Sequence, residues 1–302
     1  MNGELIMKEH LTRPMPKGYA ALWGGITLAY VIWLVFFLRD TVLVKYETVA
    51  ERTVDGYLYA DITGMTGHHW LYPVWVVLSA LSMLLYIAYI RKILYAERLG
   101  GGAKWFCLVT GVFAFVYVTA FAFLDAPNRA GEVATVSDKI HYVTASMIGL
   151  QWPWLFKLWG ILTGTALFTN TLYAFRKFGY NSRVAVVLGS VGAAAIYLSL
   201  NCPSLGETKD FSDPRCVAHW LGALIFAFLI AAPVVMFLYH MAHTEKGLFR
   251  PTFYGFVGIL LLMILLLVTV GKSALIENLP IVAAYLILLA MNFTNLYETP
   301  SG

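Results

Sequence analysis

The sequence predicts an all-α, polytopic transmembrane helix bundle of about eight spans with its N-terminus inside, and three observations carry that prediction. The first is composition. Of 302 residues, 60% are hydrophobic and 13% charged, with a mean hydropathy of +0.71; a soluble domain carries roughly 25% charged residues. The second is a repeated grammar. Gly64 to Lys92 sets Trp70, Tyr72 and Trp75 ahead of an uncharged apolar run that Arg91-Lys92 closes, and Leu150 to Lys177 repeats it with Trp154, Trp159 and Arg176-Lys177. An aromatic belt at one end and a basic stop at the other mark a membrane-spanning helix. The third is the distribution of charge between alternate loops.

Taken in order, the apolar runs are Tyr19–Leu38, Leu71–Ile90, Phe106–Leu124, Phe156–Phe175, Val184–Leu200, His219–Tyr239, Phe253–Gly271 and Leu279–Tyr297. Each crosses, or nearly crosses, a hydrocarbon core of about 30 Å at about 1.5 Å per residue. The eighth is the weakest, because Asn292, Thr294 and Asn295 interrupt its end. Helices follow because lipid cannot satisfy free backbone groups, and no barrel-type alternation is present. Spans fill most of the length, so residues 1–302 read as one transmembrane domain. The polar first residues lead into a run too long for a signal h-region, which predicts an uncleaved anchor.

With the N-terminus inside, the inner segments hold 12 of the 21 basic residues against five acids, and the outer segments hold nine against twelve. Basic residues thus cluster at the span ends that the positive-inside rule requires. The net charge of +4 is dispersed, with no basic run suited to nucleic acid. The expected partners are the lipid bilayer and other membrane subunits.

The outer face carries the long connections, from Arg39 to Trp70, Asp125 to Leu155 and Asn201 to Ala218. Long loops on one side of a scaffold are where function concentrates. The middle loop ends in Tyr142-Val143-Thr144-Ala145 and an apolar continuation to Trp154, which lies in the interface, extends span four or folds back into the bundle. Cys202 and Cys216 bracket the third loop and suit a disulfide on an oxidising side, whereas Cys107 reads as a small buried thiol. The triplet Asn292-Phe293-Thr294 falls at an inner span end and reads as a chance match to a glycosylation site.

Candidate chemistry is sparse. His69, His141 and His219 stand at the outer entrances of even-numbered spans, with Asp61 and Asp125 nearby in sequence. Three imidazoles and a carboxylate would suit zinc or another divalent metal, although the fixed spacing of a His-Glu-x-x-His helix is absent. The bland reading is that histidine is at home at an interface. The same applies to His240 and His243 at the inner end of span six. Lys157 and Lys272 lie near outer span ends, within snorkelling reach of water. Gly24-Gly25, Gly160, Gly164, Gly189, Gly192 and Ala193–Ala195 are small-residue patches that predict close helix packing. No phosphate-cradling glycine loop or nucleophile elbow is present, and no cofactor is predicted outside the metal reading.

Tyr59-Ala60-Asp61-Ile62-Thr63-Gly64 before span two resembles the aromatic, Ser/Ala-Asp and Thr-Gly motif of the autophagy-modulator (DRAM)/Sfk-type family of polytopic membrane proteins. His141 with Ala145, and Cys216, resemble that family's residues ahead of spans four and six. The chain departs from the pattern in spans seven and eight, in a longer middle loop, and in His68-His69 where a proline-glutamate is expected. The resemblance implies a six-helix core acting in lipid organisation, without catalytic residues to carry over. Two function classes follow. The first is a non-catalytic membrane protein that binds or organises lipid, or is a subunit of a larger complex. The alternative is a metal-dependent enzyme acting on an amphiphile at the outer face.

Overall fold

The computed structural model describes residues 44–54, 57–67, 101–124, 144–201 and 214–298, with further helical positions at Gly25, Leu28, Ile32, Val77, Leu81, 83–85, 87 and 88. Among these residues lie β1 (Val44–Val54), β2 (Tyr57–Gly67), α1 (Gly101–Phe121), α2 (Ala145–Gln151), α3 (Pro153–Lys177), α4 (Arg183–Asn201), α5 (Pro214–Thr244), α6 (Phe249–Thr269) and α7 (Ala274–Phe293). Five helices, α1 and α4 to α7, are long and apolar enough to cross a membrane. The scattered positions of the first two predicted spans are helical, and Met83 and Ile87, one turn apart, are buried.

The long helices alternate in direction, and each pair of neighbours shows it. Tyr117 and Phe121 near the end of α1 meet Leu155 and Phe156 at the start of α3. Cys107 near the start of α1 receives a bond from Asn170 far along α3. Down α4, Leu200, Ala193 and Gly189 face Gly160, Gly164 and Phe168 of α3 in antiparallel order. Arg176, Lys177, Arg183, Lys246 and Arg250 therefore gather at one end, the basic end, with Trp105, Tyr239 and Tyr254 exposed beside them. Trp152 and Trp154 are exposed at the opposite end. From Trp154 to Arg176 along α3 is about 33 Å at the helical rise, which matches the hydrocarbon thickness between two aromatic belts.

Helix α3 is the hub. It contacts α1, α2, α4, α5 and α7 and is the one long helix in the described residues that fails the apolarity test for a span. Thr163, Thr169, Asn170 and Thr171 are all buried on it. The hydroxyls of Thr163, Thr169 and Thr171 donate to Trp159 O, Ala166 O and Leu167 O of the same helix, which satisfies them without water. Five neighbouring elements cover this helix, so polar residues are tolerated on it.

Small residues set the α3–α4–α5 spacing as the sequence predicts. A Cβ on Gly160 would fall 2.6 Å from Leu200, and one on Gly192 2.7 Å from the Ile230 backbone nitrogen. Pro233 has no N–H, so the Leu229 carbonyl lacks its helical donor, and Gly192 nestles against that stretch of α5. Gly222, which the sequence reading passed over, is as tightly held as Gly192. Gly25 instead has open space around it, so close packing does not explain that glycine.

One expectation changes and two are sharpened. An antiparallel hairpin occupies much of the connection between the first two predicted spans, pairing Val54 with Tyr57 and Val44 with Gly67, whereas the all-α reading assigned no strand there. Asp55-Gly56, between the paired ends, is a dipeptide suited to a two-residue hairpin turn. The apolar piece before span four resolves into the short helix α2, with Gly149 seated against the Phe156 ring and Pro153 opening α3. The eighth run is a full 20-residue helix beginning at Ala274, because Ser273 caps it through a bond from the Ile276 N–H.

At the basic end, Lys177 Nζ donates to Met291 O at 2.9 Å and Thr294 O at 3.2 Å, and pairs with Glu298 at 3.0 Å. The carbonyls are the orphan acceptors at the end of α7, where a cation is favoured. Lys177→Met should therefore lower stability by about 1–2 kcal/mol in detergent thermal unfolding. Glu298→Gln should cost about 0.5 kcal/mol or less, because its carboxylate is half exposed.

Candidate functional site

The end opposite the basic one gathers polar side chains from four elements around an aromatic floor. Phe156 and Trp159, on one face of α3, stack at 5.5 Å and 9°, and Phe121 of α1 joins at 5.8 Å from Trp159. The Trp159 Nε1–H donates to Asn278 Oδ1 at 3.0 Å, and Asn278 in turn donates to Ala274 O at 2.8 Å. One residue earlier, Glu277 Oε2 accepts the Ala145 N–H at 3.1 Å and so closes the first turn of α2. Lys272 lies within Coulombic reach of Glu277, and its ammonium sits 3.5 Å from the Trp220 ring centroid.

His219 is buried where α5 leaves the end of α4. Its Nδ1 lies 3.0 Å from Ser199 O and 3.4 Å from Ser199 Oγ. A carbonyl oxygen only accepts, so in this contact Nδ1 carries the proton and donates. Lys157 is also buried, at 5% exposure, which overturns the snorkelling expectation. Helix α3 is central rather than peripheral, so Phe156, Lys157 and Trp159 near its start are covered. Lys272 stays exposed, in keeping with an interfacial lysine.

Below this mouth, a ladder ties α3 to α7. Asn278, Tyr285 and Asn292 stand seven residues apart on α7 and meet Trp159, the Leu162 and Thr163 carbonyls, and Asn170 in parallel order. Asn170 Nδ2 also donates to Cys107 O at 3.2 Å, which links α1. Gly111 leaves the room this needs, since a Cβ there would lie 3.1 Å from Asn170 Nδ2. Cys107 is a buried free thiol, and Asn292 is 4% exposed, which removes it as a glycan acceptor. Sequence reading missed Glu277, Asn278, Ser199 and the ladder. The seven-residue spacing of Asn278, Tyr285 and Asn292 was the available signal.

Of the proposed metal ligands, His219 is described with its side chain and Asp61 lies in β2, paired with Ala50. His69, His141 and Asp125 lie outside the described residues, as does Cys202 of the expected disulfide, while Cys216 lies in the first turn of α5. Among the described residues, no three His, Cys, Asp or Glu side chains converge. His240 and His243 are both exposed at the basic end, as an interfacial reading requires.

No family model matches the chain, and no solved structure matches it. The chain is similar to a UPF0761 membrane protein of Teredinibacter turnerae, 26% identical over 209 residues, which cover 68% of this chain and 43% of that protein. It thus spans less than half the length of the curated relative it matches. That similarity and the five apolar helices agree: the chain is an integral, multi-pass membrane protein.

Proposed function

We propose that this protein is a non-catalytic membrane component that binds or organises lipid, with α6 as its lipid-facing flank. One observation carries the reading. Only Phe249 and Phe256 are buried among the 21 residues of α6, while Leu261, Ile264, Leu265 and Val268 lie exposed, Val268 at 80%. A helix this apolar has no place against water. Asn170, Asn278, Tyr285 and Asn292, all buried, spend hydrogen bonds on joining α1, α3 and α7, which supports a scaffold role. The likeness to the DRAM/Sfk-type family favours the same class of role. Purification in mild detergent followed by lipid extraction should recover stoichiometric phospholipid with the protein. Lipid-free protein that stays monodisperse would defeat the proposal, and a co-purifying protein chain would transfer α6 to a subunit interface.

A second reading rests on His219. A metal-ligating histidine commonly donates its other ring N–H to a carbonyl, and His219 makes that bond to Ser199. In this reading His69, His141 and His219 hold a divalent metal, with Asp61 or Asp125 as carboxylate ligand or base. Elemental analysis of protein purified without chelator should then find one metal per chain, lost in His219→Ala; metal-free protein removes the reading.

A further inference from the structure

We infer that the groove between α5 and α6 at the basic end is a binding site for an anionic phospholipid, an inference that rests on the lipid role proposed above. The groove has a volume of about 330 Å³ and is lined by Tyr180, Val235, Met236, Tyr239, His240 and Phe253. That is the lower end of the size range of small-molecule sites, and its wall is apolar and aromatic. Its depth along α5 is graded. Val235 and Met236 lie one turn farther into the membrane than Tyr239 and His240, and His243 stands one turn nearer the end. An acyl chain fits the inner part, and an ester and headgroup fit the outer part.

The chemistry of the rim selects the headgroup. The α5–α6 turn is tight, with Lys246 at φ 57° and Gly247 at φ 45°, and it brings the end of α5 beside the start of α6. His240, His243, Lys246 and Arg250 are all exposed there, against Glu245 on the turn itself, while Glu298, next to the Tyr297 that packs on Phe249, is paired with Lys177. Arg250 precedes Phe253 by three residues, which sets it one turn outward from the groove wall on the same helix. The first turn of α6 carries no acid, and its N-cap, Leu248, offers no side-chain acceptor, so the helix dipole adds to the attraction for an anion. Rings fix the walls, with Tyr180 at 5.1 Å from His240 and Tyr239 at 5.6 Å from Phe253. A headgroup of net negative charge at the rim completes the charge balance that phosphatidylcholine, whose choline cation offsets its phosphate, leaves open.

The test uses the full chain, stripped of lipid in detergent and titrated with phosphatidylglycerol or phosphatidylcholine of the same acyl chains, read by native mass spectrometry. The inference expects phosphatidylglycerol to bind about tenfold more tightly, because both lipids offer a phosphate but the basic rim repels the choline cation of phosphatidylcholine. The surface pair Lys246→Gln and Arg250→Gln should remove the preference, weakening phosphatidylglycerol much more than phosphatidylcholine. Val235→Phe, which fills the groove, should weaken both lipids. Equal binding of the two lipids by the wild type, or selectivity that survives the double variant, overturns this inference and leaves the broader lipid role standing. A second protein chain bound in place of lipid overturns it as well. Binding of neither lipid overturns both.

Discussion

Gly222→Val should disrupt the α4–α5 pair more than any other single change described here. A Cβ at Gly222 would lie 2.7 Å from Ser199 N, 2.8 Å from Ala195 O and 2.8 Å from Leu198 Cβ. Two of those atoms are backbone, so no side-chain rotation can relieve the clash, and the two helices must move apart. Overpacking usually costs about 1–3 kcal/mol, and a β-branched residue against backbone belongs at about 3 kcal/mol or above. His219, three residues earlier on the same helix, would lose its bond to Ser199 as the helices part. Gly258→Ala is the matched control. Nothing lies within 4 Å of its Cβ, so helix propensity alone acts, and stability should rise by up to about 1 kcal/mol. Thermal unfolding in one detergent reads both; a tolerated Gly222→Val would mean that α4 and α5 are not in backbone contact.

Trp159→Ala should be the next most damaging. The indole is buried, stacks on Phe121 and Phe156, and donates to Asn278 Oδ1. Deleting a buried tryptophan costs about 3–5 kcal/mol through lost contacts and the cavity left behind. Trp159→Phe retains most of the stack and isolates the hydrogen bond, so it should cost about 1–3 kcal/mol from the unsatisfied Asn278 oxygen. The double variant Trp159→Phe with Asn278→Leu removes both polar partners and should be more stable than Trp159→Phe alone. A double-mutant cycle that shows strict additivity would mean that the Trp159–Asn278 bond contributes nothing to α3–α7 pairing.

These side chains also show where sequence reasoning ran out. Helices bounded by strong hydropathy contrasts were legible: the predicted Phe156–Phe175 and Val184–Leu200 became Pro153–Lys177 and Arg183–Asn201. The last helix was placed about five residues late because Glu277 and Asn278 look like loop residues. In the bundle, Glu277 receives the Ala145 N–H and Asn278 the Trp159 N–H, contacts that come from residues more than a hundred positions away. Lys157 was misread for a related reason. Hydropathy reports which residues avoid water, not which helix is central, and a central helix buries a lysine near its start. The β-hairpin was missed because its residues are polar enough to pass as a loop between spans. The small-residue patches were read correctly on α3 and α4, where Gly and Ala recur, but Gly222 stands alone on α5 and its importance is set by what faces it.

The central claim is that α6 turns its apolar face to lipid. The most direct measurement is oxygen accessibility of spin labels placed singly at Leu261, Leu265 and Val268 in liposomes, with a label at Ala166 of α3 as the buried reference. The account predicts that all three α6 labels collide freely with oxygen and are shielded from a water-soluble relaxant, while the Ala166 label is shielded from both. Oxygen protection along α6 equal to that at Ala166 would contradict it.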